Sequence, residues 1–134
     1  MKLQRIITHP DPYEPFRLAQ GWRVGDLLLI SGQAAIGDDG RIVGAGDFDA
    51  QAQQAFANLE RALRAGGSSL RNVIKVTIFL TDMAHFEKIV ELRGKYFAPP
   101  YPADTIVEVS SLYSKEAMIE IEAVAVADAA VERD

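Results

Sequence analysis

The chain contains no cysteine. That excludes disulfides, thiol nucleophiles and zinc–thiolate centres, and it fits a reducing compartment. Histidine is nearly absent too: His9 and His85 are the only two. They stand far apart without partners at metal-ligand spacing, so no metal site and no histidine catalysis is expected. Positive charge is in deficit, with 14 Lys and Arg against 19 Asp and Glu and a net charge of −5. Nucleic acids and anionic membrane surfaces reward the opposite sign, so neither is an expected partner. No apolar run approaches the roughly 20 residues that span a bilayer. The opening stretch, residues 1–16, lacks the apolar core of a signal peptide. A cytoplasmic protein is the expectation.

What is present reads as one domain over residues 1–134. Apolar residues make up 49% of the chain, enough for a substantial core. Residues 1–16 hold three of the six prolines and read as an extended arm. Residues 128–134 read as a frayed polar tail. Strands are expected at Arg17–Arg23 and Asp26–Gly32 around a turn at Val24-Gly25-Asp26. Leu27 to Ile30 is continuously apolar, which predicts burial on both faces. A turn at Asp38-Asp39-Gly40 precedes a short Ile42-Val43 strand.

Asp49 is the expected cap of a helix over residues 50–65. Its stripe is Ala52, Ala55, Phe56, Leu59, Ala62 and Leu63, and Gly66-Gly67 stops it. Val73–Leu80 alternates as a strand. Asp82 caps a second helix, 83–97, with a stripe of Phe86, Ile89, Val90, Arg93, Tyr96 and Phe97. Prolines 99, 100 and 102 end it. The stretch from Pro102 to Val126 then gives two β runs around a loop at Leu112–Ala117. The order β-β-β-α-β-α-β-β predicts an α+β fold, one mixed sheet with two helices on one face. Two helices cover a single face, yet the strands carry apolar groups toward both. A second copy of the chain is the simplest cover for the other face.

Candidate chemistry gathers near the end of the chain. Ile119, Ile121, Ala123 and Ala125 alternate with Glu120 and Glu122, so both carboxylates share one strand face. Asp104 opens the preceding run. Arg93 is a lone cation on an apolar stripe. It either snorkels to water or enters a cleft, where it pairs with Asp104 or Glu120. Ser31 has no histidine placed to activate it, which argues against a serine hydrolase. Gly44 and Gly46 do not form a phosphate loop.

Several pieces fall into one ordered pattern. They are Arg23-Val24-Gly25-Asp26, Ile30-Ser31-Gly32-Gln33, Gln54 with Asn58-Leu59, Val76 through Met83, Pro102-Ala103, and Glu120-Ile121-Glu122-Ala123. In this order and spacing they resemble the Rid (YjgF-like) family of reactive-intermediate deaminases, from about Arg23 to Val126. The resemblance implies a chorismate-mutase-like fold and a homotrimer whose sheets line a central barrel, with a small-molecule cleft between subunits. It implies hydrolysis of imines or enamines to a keto acid and ammonia, with no metal or organic cofactor. Glu120 matches the glutamate that positions the attacking water. Ser31 and Gly32 match the backbone cradle for the ligand. Phe16 or Tyr13 stands near a pocket tyrosine.

Three positions depart from the pattern. Asp104 follows Pro102-Ala103 where active members carry the arginine that forks the substrate carboxylate. Val90 replaces an asparagine and Arg93 an aromatic residue; inside the cleft Arg93 pairs with Asp104 or Glu120, or takes over the carboxylate fork. Two unit charges 4 Å apart interact by roughly 4 kcal/mol at an effective dielectric of about 20. Reversing the sign at Asp104 therefore argues against ordinary 2-imino-acid deamination through that position. The expected ligand is a small imine, enamine or related metabolite, met by Glu120, Ser31, Gly32, Arg93 and Asp104. A non-catalytic metabolite-binding or chaperone-like protein is the alternative.

Overall fold

The computed structural model describes residues 1–133. Six strands, β1 (Leu3–Ile6), β2 (Gly21–Val24), β3 (Leu27–Gln33), β4 (Val73–Leu80), β5 (Ala103–Glu108) and β6 (Ile119–Val126), form one sheet in the order β1-β2-β3-β6-β4-β5. β4 and β5 pair in parallel and every other neighbour is antiparallel, so the sheet is mixed. Helix α1 (Phe48–Ala65) links β3 to β4, and α2 (Phe86–Tyr96) links β4 to β5. Since β3 and β4 both run against β6, they are parallel to each other with β6 slotted between them. The expected α+β, chorismate-mutase-like architecture is the one found.

Both helices lie on one face. α1 presents Ala52, Ala55, Phe56, Leu59, Ala62 and Leu63 to Val76, Ile78 and Leu80 of β4 and Ile119, Ile121 and Ala123 of β6. α1 is capped by Asp47, whose carboxylate accepts a hydrogen bond from the Ala50 amide at 3.1 Å. Asp49, the expected cap, instead lies in the first turn and pairs with Lys88 at 2.8 Å. The helix begins two residues sooner because the glycine-rich approach leaves Asp47 extended enough to reach back.

The order of elements is the expected one, but the third expected strand is absent and an unexpected strand is added in front of the first. The proline-rich arm supplies β1, which adds to the edge of β2. Ile42-Val43 is not a strand; only an isolated bridge joins Ile42 to Ile36. The sequence lacked cross-strand partners there, whereas Leu3 to Ile6 finds a full ladder on Gly21 to Val24. The second helix also starts later than expected, after a 3-10 turn at Met83–His85 capped by Asp82. Its stripe splits. Ile89 and Phe97 are buried, while Phe86 and Val90 are exposed. α2 covers the β5 edge of the sheet, where only one side of the helix meets the core.

The uncovered sheet face decides the next question. Leu28 and Ile30 are buried beneath the helices, but Leu27 and Leu29 are 44% and 47% exposed on the other side. Burial of this strand on both faces is therefore not achieved within one subunit. Trp22 lies on the same open face, paired across from Leu29.

Candidate functional site

Between Ile30 and Gln33 the β3–β6 ladder slips, with one extra residue on β3. A bulge of this kind re-aims side chains beside it. Here it sets Ser31 and Gly32 against Glu120. A Cβ on Gly32 would stand 2.5 Å from Glu120 Oε1, so the lack of a side chain is what makes room for the carboxylate. The Ser31 hydroxyl donates to the Ala19 carbonyl at 2.6 Å and is committed to structure.

The N-terminal arm folds over this point. Tyr13 donates its hydroxyl proton to the Gly32 carbonyl at 2.7 Å, and its own amide donates to Asp11 at 3.0 Å. Gln20 ties the arm down from within by donating to Thr8 and Asp11. Phe16 meets Tyr113 edge to face at 5.9 Å between ring centroids. The result is a cavity of about 280 Å³ lined by Tyr13, Phe16, Leu18, Ser31, Gly32, Ile36, Tyr113 and Glu120.

Glu120 is half-buried here, and its carboxylate accepts no hydrogen bond among the described residues. Burial pushes its pKa up from the ordinary carboxylate value, and Glu122 on the same strand face adds to the rise. Tyr113 is also raised, first by burial and then by Glu120 and Glu116. The Tyr13 phenol is raised further still, chiefly by burial. The cavity thus holds one free base, Glu120, and one free hydroxyl, Tyr113.

Arg93 and Asp104 occupy a different place. Arg93 Nε donates to Asp104 Oδ2 at 2.8 Å and Nη2 to Oδ1 at 3.0 Å. Of the partners left open for Arg93, the structure selects Asp104. The pair borders a second cavity of about 380 Å³, with Val90, Gly94, Phe97, Tyr101 and Pro102. α2 brings Arg93 down onto β5, the edge strand that carries Asp104.

The five expected site residues therefore fall into two groups. Ser31, Gly32 and Glu120 come together, as do Arg93 and Asp104, but the two groups do not share a cavity within one subunit. Glu122 faces a shallower hollow of about 200 Å³ on the open sheet, with Lys75 and Thr77. His85 stacks on Phe48 at 4.0 Å between ring centroids, and the His9 carbonyl accepts from Arg61 at 2.6 Å. Among the described residues no three His, Cys, Asp or Glu side chains gather as a metal site. No helix among them is long and apolar enough to cross a membrane.

Tyr113 was not foreseen from the sequence. It is the lone aromatic in a turn-rich loop, seven residues before Glu120. That pairing of an aromatic with an acidic strand was the available signal.

A family model described as endoribonuclease L-PSP matches residues 7–127. This chain belongs to that family, the YjgF or Rid family. Among its Rid relatives, a RutC family protein of Pyrococcus horikoshii is 40% identical over 116 residues, covering 87% of this chain and 90% of that protein. The 2-iminobutanoate/2-iminopropanoate deaminase of Dermatophagoides farinae is 33% identical over 129 residues, covering 94% and 98%. RidA from an Antarctic Psychrobacter superposes with a TM-score of 0.83 at 32% identity, covering 92% and 98% of the two chains. Yeast Mmf1 superposes at 0.86 with 30% identity, covering 95% and 100%.

Proposed function

We propose that this Rid protein assembles as a homotrimer and hydrolyses a small imine, enamine or related metabolite in a cleft between subunits. The observation that carries the reading is Glu120, a half-buried carboxylate with a raised pKa, no hydrogen-bond partner among the described residues, and open space before it. A carboxylate whose pKa is raised by burial holds a proton more readily than an ordinary one, which suits it to take a proton and give it back. Glu120 takes a proton from water as the oxygen adds to the C=N carbon. It returns that proton to the nitrogen, and the carbinolamine collapses to a carbonyl compound and ammonia. Backbone groups at Ser31 and Gly32 hold the ligand against the bulge.

The division into two cavities supports an assembled cleft. Arg93 and Asp104 line the β5 edge, while Glu120 belongs to the open face where Trp22, Leu27 and Leu29 stand exposed. In this reading a second copy covers that face and brings its own Arg93–Asp104 edge to Glu120, so that both groups meet the ligand. The relative from Dermatophagoides farinae, a 2-iminobutanoate/2-iminopropanoate deaminase by name, supports this reaction class. The family description mentions an endoribonuclease; a net charge of −5 favours the small-molecule reading.

Asp104 favours a second reading, a cleft that binds a metabolite without turnover. One experiment separates the two. The purified protein is mixed with an amino-acid oxidase that generates 2-imino acids, and ammonia release is followed. The hydrolase reading expects acceleration by wild type that falls by at least a hundredfold in Glu120→Gln, in line with general acid–base contributions of about 10²–10⁴. Wild type and Glu120→Gln at the uncatalysed rate would leave only the binding reading.

A further inference from the structure

We propose that Arg93 is the carboxylate-binding residue of this chain, and that Asp104 positions it and limits its reach to monocarboxylates. The inference deepens the cleft reading above and rests on that cavity being a ligand site. Its basis is how the guanidinium is used. Asp104 takes the Nε–Nη2 edge in a side-on fork, at 2.8 and 3.0 Å. The planar guanidinium has five donors, and this fork engages two. The Nη1–Nη2 edge has no partner among the described residues and keeps two parallel donors in carboxylate geometry.

The exposed member of the pair is the cation. The Arg93 side chain is 26% exposed against 13% for Asp104, whose oxygens both accept from the fork. The Phe86 ring, 5.9 Å from the guanidinium carbon, further limits how the group can swing. The charge a ligand meets is therefore positive, although the strand position itself is acidic.

Asp104 has a second effect. It offsets the one positive charge lining the cavity. A single carboxylate is still received by two directed donors. A dianion would bring a second negative charge to a pair whose net charge is already zero, with no further donor edge to receive it, so phosphate and dicarboxylates are disfavoured. Val90, Phe97 and Pro102 provide apolar walls, which suits a short hydrocarbon chain on the acid.

Calorimetric titration of the full-length protein tests this with four probes: butanoate, succinate, inorganic phosphate and butylamine. Butanoate is expected to bind in preference to the other three. Arg93→Gln should weaken butanoate at least tenfold. Arg93→Lys, which keeps charge but not the fork, should weaken it by several fold and guards against misfolding of the first variant. Asp104→Asn should keep butanoate within tenfold and raise phosphate and succinate binding. Equal butanoate affinity in wild type and both Arg93 variants would overturn the proposal. So would preference for butylamine that is lost in Asp104→Asn. Oxidase-coupled turnover that persists unchanged in Arg93→Gln would leave the hydrolase standing and remove Arg93 from it.

Discussion

Glu120 shows how one atom's absence next door sets a side chain's chemistry. Gly32 leaves the volume that the carboxylate fills, and the surrounding aromatic rings withhold water from it. Burial then disfavours the ionised form. The folded protein holds the Glu120 proton more tightly than the unfolded chain does, so stability falls as pH rises from the ordinary carboxylate value through the raised one. Glu120→Gln lacks this loss. Melting curves from about pH 4 to about pH 8 should show the variant gaining on wild type as pH rises, with the gain levelling off once Glu120 is fully ionised. Parallel curves would mean that the carboxylate is better solvated than its surroundings suggest. At this scale the sequence disclosed Glu120 through strand alternation and family pattern. It left Arg93 open between water, Asp104 and Glu120, because the choice depends on where α2 crosses β5, which no local pattern encodes.

The elements were legible wherever periodicity was strong. The α1 stripe and the alternation of β4 and β6 both follow from side-chain burial on one face. What escaped was polar. Gln51 is fully buried on α1. Its amide nitrogen donates to the carbonyls of Glu116 at 2.7 Å and Gly44 at 3.2 Å, and its oxygen accepts from the Met118 amide at 2.9 Å. It therefore clamps both the approach to α1 and the start of β6, the strand that carries Glu120. A glutamine on a helix looks like a solvated residue until its partners at Glu116 and Met118, over sixty positions away, are known. Gln51→Ala strands these three backbone groups. It should cost about 1–3 kcal/mol for each group left buried and unpaired, read as a lower denaturation midpoint. A midpoint within about 0.5 kcal/mol of wild type would indicate that water replaces the amide without loss.

For the whole molecule, the open face matters most. Leu27, Leu29 and Trp22 remain exposed on one side of a sheet whose other side is fully packed. The sequence announced this imbalance, since two helices cannot cover two faces. It did not reveal that the arm contributes β1 and widens that same face. Leu29→Asp places a charge at the centre of the open face and should convert the expected trimer to monomers, as read by analytical ultracentrifugation. Helix content should be unchanged, because Leu29 does not touch the helix-facing core. Ammonia release should fall together with the trimer. A variant that stays trimeric would show that the copies meet elsewhere.

The slot that β6 fills between β3 and β4 also bears on biosynthesis. During translation the first five strands emerge with a gap where their central neighbour belongs, and their inner edges stay unpaired until residues 119–126 clear the ribosome. Folding of the sheet must then wait for the last strand. Glu120 arrives with that strand, so a nascent chain cannot close its fold before it has acquired its base.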